Sequence, residues 1–251
     1  MKILVVCKRK EQINQQEIRS FFQKAQIEAE YIWKNELKKA HIDKKDAIIS
    51  IGGDGTALSA AHFITSQPIL AVNSEPEASE GALTTIILSQ LEEKLNEIKS
   101  IKFKTENLER IEIAINGKIL DMLALNEVFI GSEKAYLPAK YTLNLKSKSE
   151  NQISSGLIFS TGTGSTAWFK SAGGKQFSPQ AKFIKLVVRE PFKGRIKTCD
   201  IPNADINENE EAVIIPQAKS ELAIDSIRSY PLNPGDKITL KISKHPLKRI
   251  I

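Results

Sequence analysis

Apolar residues in the first hundred positions follow two rhythms that alternate. Residues 2–6 (Lys-Ile-Leu-Val-Val) form a short β-branched run that predicts a buried strand, 46–51 (Asp-Ala-Ile-Ile-Ser-Ile) predicts a second, and 69–72 a third. Between them Ile18, Phe21, Phe22, Ala25 and Ala29 recur at helical spacing, which predicts a helix from about Gln15 to Tyr31, and 57–64 predicts another. Ser89-Gln90-Leu91-Glu92 has the form of a capping box opening a helix that runs to about Ile98. Strands alternating with helices predict a parallel sheet flanked by helices.

Past residue 101 the rhythm shortens to two. Leu108 to Ile115, then Asn116-Gly117, then Lys118 to Ile130 predicts a hairpin, because Asn-Gly accepts the positive φ of a type I′ turn. Further strand-like runs cover 141–145, 156–159, 183–188, 212–215 and 237–242, and helix signals are scarce. The pattern divides the chain into an α/β domain over 1–100 and a β-rich domain over 101–251, with the last residues packing back on the first domain.

Composition narrows the class. With 251 residues, 41% hydrophobic and 26% charged, the chain can bury its own cores without disulfide or metal staples. Cys7 ends an apolar run and reads as core, whereas Cys199 reads as exposed; far apart and without CxxC spacing, they predict free thiols in a reducing compartment. His41, His62 and His245 are scattered, so no protein-built metal site is expected. Lys8, Arg9 and Lys10 cut off the apolar start, which excludes a signal peptide, and no run approaches the ~20 apolar residues of a membrane helix. The expectation is a cytoplasmic protein with no membrane partner. The formal charge of +6 is spread as pairs such as Lys38-Lys39 and Lys44-Lys45, without interleaved aromatics, which favours phosphorylated small molecules over nucleic acid.

Three elements carry candidate chemistry. Gly52-Gly53-Asp54-Gly55-Thr56 follows a strand and precedes a helix. Glycines let a backbone approach a ligand closely, and a helix N-terminus offers free N–H groups to phosphate. A carboxylate there fits holding Mg²⁺ or accepting a proton from an attacking hydroxyl, so the set points to phosphoryl transfer; the plain alternative is a tight turn capped by Asp54 or Thr56. Asn126-Glu127 places an amide and a carboxylate in an apolar strand, where ribose hydroxyls would satisfy both, as would a position on an edge strand. Residues 155–168 pass from an apolar strand into a segment rich in small residues and hydroxyls, followed by Trp168, which needs a packing surface.

In this order and spacing, the three elements resemble the NAD kinase family: its GGDGT motif, its Asn-Glu pair, and its STPTGSTAY signature, here 160–168, with Ala172-Gly173-Gly174 downstream. The chain departs from the usual pattern at Ser155 (usually Asp), Gly162 (usually Pro) and Trp168 (usually Tyr). The loop from Asn73 to Gly81 and Val188-Arg189-Glu190-Pro191 look like the divergent branch that includes mitochondrial-type NAD kinases. The resemblance implies an α/β domain with a parallel sheet plus a β-rich domain. It also implies transfer of a phosphoryl group from ATP, or another donor, to the 2′-hydroxyl of NAD. Asp54 is then the catalytic base, and Gly52, Gly53, Gly55 and Thr56 hold phosphates. Asn126, Glu127, Thr163, Thr166, Ala167 and Trp168 contact NAD, with Ser155 and Asp225 also placed there, although Ser226 stands where the family has Gly after that Asp. Mg²⁺ comes with the nucleotide, and a homodimer or homotetramer is expected. The rivals are a lipid kinase of the diacylglycerol or sphingosine type, which shares the glycine turn, and a non-catalytic NAD(P) sensor.

Overall fold

Residues 3–7 do form a buried strand in the computed structural model of the chain, which describes residues 1–8, 14–78, 81–194 and 199–251. In chain order the first part holds β1 (Ile3–Cys7), α1 (Gln15–Lys24), β2 (Ala29–Trp33), α2 (Lys39–Ile42), β3 (Ala47–Gly52), α3 (Asp54–Ala61), β4 (Ile69–Asn73), β5 (Ile86–Ile87), α4 (Leu91–Lys99) and β6 (Thr105–Leu108). Then come β7 (Ile111–Ile115), β8 (Lys118–Ile119), β9 (Glu127–Ser132), β10 (Ala139–Leu145), β11 (Lys148–Ser154), β12 (Gly156–Ser160), α5 (Trp168–Ser171), β13 (Phe183–Arg189), β14 (Asn203–Asn207), β15 (Ala212–Pro216), β16 (Ser220–Ile224), β17 (Arg228–Leu232), β18 (Ile238–Ile242) and β19 (Leu247–Ile250). Two compact units result: residues 1–107 with 247–251, and residues 108–246. Among the described residues no helix is long and apolar enough to cross a membrane.

The first unit is a sheet ordered β2-β1-β3-β4-β19-β6, with β5 also on β4. The pairs β1–β2, β1–β3, β3–β4, β4–β5 and β4–β19 are all parallel. β1, β3 and β4 are buried at every position, as continuous β-branched runs covered on both faces must be. Ile18 and Phe22 of α1 and Leu91, Leu95 and Ile98 of α4 pack on this sheet. Cys7 is a free core thiol, pushed up to about 11 by burial.

Two predicted helix boundaries are corrected. The helix predicted to run to Tyr31 stops at Lys24; Gln26 takes φ +54°, and residues 29–33 form β2 on the edge of the sheet. Ala29 matched the helical spacing by coincidence; Ala29, Tyr31 and Trp33 alternate onto the core as strand residues do. α4 is not capped by Ser89: the Gln90 side chain accepts the Ile87 N–H at 3.0 Å, ahead of a short 3₁₀ turn at Leu88–Gln90.

The second unit is two antiparallel sheets, ordered β11-β10-β15-β18-β7-β8 and β14-β13-β12-β9-β16-β17, with one core of inward residues from both. β10, β13, β15, β16 and β18 alternate buried positions with half-buried ones, or in β10 also an exposed one at Lys140. The predicted hairpin is right at its turn, Asn116 at φ +51° and Gly117 at +80°, but its second arm is only Lys118–Ile119. The chain then leaves that sheet, and β9 joins the other one. Cys199 is a free thiol packed half-buried against the core, not the exposed residue the sequence suggested.

Candidate functional site

In the first unit β3 ends at Gly52 and α3 begins at Asp54, with Gly53 as the N-cap. The Thr56 N–H donates to Gly53 O at 2.9 Å, closing the first turn. Gly55 is exposed, with no heavy atom within 4 Å of the position a Cβ would take, so the turn presents open backbone. Asp54 does not cap its own helix. Its Oδ2 accepts the Ala82 N–H at 3.0 Å and its Oδ1 the Leu83 N–H at 2.9 Å, which leaves each oxygen a second lone pair. Arg249 of β19 grips the same segment from its other side: Nη1 donates to Ala82 O and Leu83 O, both at 3.2 Å, while Nε and Nη2 hold Glu106 at 2.8 and 2.6 Å.

Gly53, Asp54, Gly55 and Thr56 line a cavity of about 250 Å³ together with Lys8, Lys34, Glu75 and Ala78. The two lysines were missed as site residues; the only available signal was that each directly follows an apolar strand. A wider cavity of about 710 Å³ lies elsewhere, lined by Met1, Lys2 and Ala29 at the amino ends of β1 and β2. Position outweighs size here, because open parallel sheets bind ligands outside the carboxyl ends of their strands.

In the second unit Asp225 organises the Asn-Glu pair. Its carboxylate accepts three successive backbone N–H groups, Leu125 and Asn126 at 2.8 Å and Glu127 at 3.0 Å. These side-chain bonds replace ladder bonds, so Asn126 sits just before β9 and Glu127 starts it. Asp225 and Ser226 themselves sit at φ +50° and +54°. The hydroxyl-rich segment locks onto the same place: Thr161 N donates to Asn126 O at 2.9 Å and Thr161 Oγ1 to Leu125 O at 2.5 Å. Gly164 passes so close to the Asn126 backbone that any Cβ would collide with it.

Three buried polar atoms at this junction have no hydrogen-bond partner among the described residues: Asn126 Oδ1, Glu127 Oε2 and Thr163 Oγ1. Buried polar atoms are normally satisfied, so three orphans on adjoining segments mark a place prepared for a polar ligand. The Glu127 carboxyl is pushed up to about 7, first by burial, then by the neighbouring Asp225 charge, against a hydrogen bond from Ser226 that lowers it. It can therefore either donate or accept near neutral pH.

The rest of the second signature divides. Residues 163–166 form a 3₁₀ turn, with Thr166 and Ala167 exposed at its end. Trp168 packs on Phe129 at 4.8 Å between ring centroids, and the Arg189 guanidinium lies over both rings, 5.3 Å from Trp168 and 5.9 Å from Phe129. Ser155 is not beside Asn126-Glu127. It precedes the other end of β12, where its hydroxyl donates to the Glu190 carboxylate, and it lines a cavity of about 330 Å³ with Trp168 and Phe129. Gly162 is explained sterically: a Cβ there would run into the Ser178 carbonyl, which occupies the space a proline ring would need.

Residues 4–102 match the ATP-NAD kinase N-terminal domain and residues 95–251 the ATP-NAD kinase C-terminal domain. The chain is 31% identical over 209 residues to an NAD kinase of Methanosarcina acetivorans, covering 81% of this chain and 72% of that protein. Solved structures share its fold, among them two with bound nucleotide. One is an NAD kinase from Archaeoglobus fulgidus in complex with ATP, with a TM-score of 0.81 at 22% identity over 100% of this chain and 94% of the other. The second is a yeast NADH kinase complexed with NADH, with a TM-score of 0.84 at 15% identity over 100% of this chain and 83% of the other.

Proposed function

The chain belongs to the ATP-NAD kinase family, and we propose that it works as one, transferring a phosphoryl group to NAD to make NADP. The observation that carries the assignment of the NAD-binding residues is the trio of orphaned polar atoms on Asn126, Glu127 and Thr163. Ribose hydroxyls and amide groups of a dinucleotide are donors and acceptors of the kind these atoms need. In this reading Thr166 and Ala167 contact the adenosine part of NAD, Trp168 packs beside it, and Ser155 touches it from the neighbouring cavity. Asp225 acts through the backbone it holds.

The donor, ATP in the first instance, takes its phosphates to the glycine turn: Gly52, Gly53, Gly55 and Thr56 supply backbone groups, aided by the N-terminal end of α3. The 2′ oxygen of NAD forms a bond to the γ-phosphorus as the bond to the β-bridging oxygen breaks. ADP leaves, and the hydroxyl proton passes to Asp54. Little covalent chemistry falls to the protein, so alignment and charge stabilisation carry the rate. Mg²⁺ belongs to the proposal as an ion that would arrive with the donor and would supply positive charge against the charge developing on the transferred group. Asp54, with free lone pairs on the cavity wall beside open Gly55, fits meeting it.

The proposal extends to a homodimer or homotetramer in the cytoplasm, a setting suited to two free thiols. Neither the lipid acceptor nor the silent sensor draws support from the relatives. The test is an activity matrix on the purified chain, with ATP, other triphosphates and polyphosphate as donors, NAD, NADH and diacylglycerol as acceptors, and Mg²⁺ present or absent. Mg²⁺-dependent NADP formation supports the reading, and turnover of diacylglycerol alone overturns it.

A further inference from the structure

The parallel sheet of the first unit delivers four segments to the carboxyl ends of its strands. Its register sets Cys7 opposite Trp33 on one side and Ile51 on the other, and Gly52 opposite Asn73. The residues just past these strand ends are therefore Lys34, Lys8, the glycine turn and the Asn73-Ser74-Glu75 turn. Backbone bonds fix them there: Lys34 N donates to Cys7 O at 2.8 Å, Lys8 N to Ile51 O at 2.9 Å and Ser74 N to Gly52 O at 3.0 Å. Glu75 N in turn donates to Asn73 Oδ1 at 3.0 Å. Lys8, Lys34 and Glu75 line the cavity of about 250 Å³ that also holds Gly53, Asp54, Gly55 and Thr56.

Lys8 Nζ is paired with Glu75 Oε2 at 2.7 Å, and the two side chains are 25% and 39% exposed. An ion pair this open to water is weak and exchanges readily for a better anion. With Glu75 on Lys8, the cavity carries two cations and two carboxylates. A phosphate chain that displaced Glu75 would meet two lysines beside a helix N-terminus, an arrangement suited to several negative charges in a row.

We propose that Lys8 and Lys34 clamp the phosphate chain of the phosphoryl donor, and that Glu75 is a built-in competitor that occupies Lys8 until the donor displaces it. The inference rests on the reading that the first unit takes the donor. It predicts recognition of the phosphate chain, common to a nucleoside triphosphate and an inorganic polyphosphate, with no demand on the base.

The test is calorimetric titration of the full chain with ATP and, separately, with inorganic tripolyphosphate, for wild type, Lys8→Met, Lys34→Met, Lys8→Arg and Glu75→Gln. Each lysine-to-methionine change is expected to weaken both ligands about 10- to 100-fold, the scale of a lost charge-assisted contact. Lys8→Arg should keep most of the affinity. Glu75→Gln should tighten both ligands by about threefold, the scale of one exposed ion pair, with KM for NAD unchanged. Unchanged ligand affinity in both methionine variants, or weaker binding in Glu75→Gln, overturns the clamp. The two readings fail separately. Tripolyphosphate binding that depends on Lys8, without any NADP formation, leaves the clamp standing and removes the kinase assignment. NADP formation by a wild type that does not bind tripolyphosphate removes the clamp alone.

Discussion

Asp54 has a structural duty beside its proposed chemical one, since its two oxygens hold the backbone of Ala82 and Leu83. Asn at this position keeps one acceptor oxygen but cannot take the proton. Asp54→Asn is therefore expected to fold, with a near-wild-type circular dichroism spectrum, and to lose at least ~10²-fold in kcat, the scale of an acid–base group; near-wild-type turnover would falsify the role. Glu127 gives a prediction in pH. Its carboxyl is raised from 4.5 to about 7 in the folded chain, so the unfolded chain ionises first as pH climbs. Wild-type stability should fall between those two values and level off above them, by on the order of 3 kcal/mol for a shift of that size. Glu127→Gln lacks this loss, so its stability relative to wild type should rise across the same window in urea unfolding, and parallel pH curves would contradict the placement. The candidate side chains were legible from their motifs, but the groups they contact were not. Lys8 stood out only as a charge ending an apolar run, because its place beside Lys34 and the glycine turn comes from pairing between strands whose partners are 26 and 44 residues apart, as in Ile3 with Ala29 and Ile3 with Ala47.

At the scale of elements, the buried runs β1, β3 and β4 could be read directly, since covering both faces leaves no polar position to confuse the pattern. β11 could not. Its sequence, Lys-Ser-Glu-Asn-Gln-Ile-Ser, hides its alternation because the inward residues Gln152 and Ser154 are polar. The Tyr141 hydroxyl meets both inside the core, at 3.1 and 2.7 Å, so burial there is compensated by hydrogen bonds that the sequence does not announce. The hairpin's second arm ends at Ile119 and the chain becomes a strand again only at Glu127, next to Leu125 and Asn126, whose N–H groups Asp225 holds from a hundred residues along the chain. Gly162 tests the packing of the second signature. Gly162→Ala drives a methyl group into the Ser178 carbonyl and should destabilise the second unit by about 1–3 kcal/mol, as overpacking does. An unchanged melting temperature would show that the 177–179 segment yields freely.

Over the whole molecule, the shift in rhythm near residue 101 was enough to separate α/β from β-rich architecture, because helix and strand periods differ and each unit keeps mainly one. What the rhythm could not give was the position of the last strand. β19 lies between β4 and β6, so the chain's end forms part of the first unit's sheet, buries Leu247 and Ile250, and carries Arg249 to the segment that Asp54 holds. Deleting residues 247–251 should cost the first unit about 3–6 kcal/mol from the two buried side chains alone, a large share of a domain's stability. Limited proteolysis should then cut within residues 1–107 first, and equal resistance in the deleted chain would contradict the topology. Phosphorus NMR of the product that the purified chain forms from NAD and ATP with Mg²⁺ decides whether it is an NAD kinase. One new phosphomonoester is expected, on the 2′ oxygen of the adenosine ribose and formed in step with ADP. ATP left intact, or a phosphate placed on any acceptor position other than that oxygen, would contradict it.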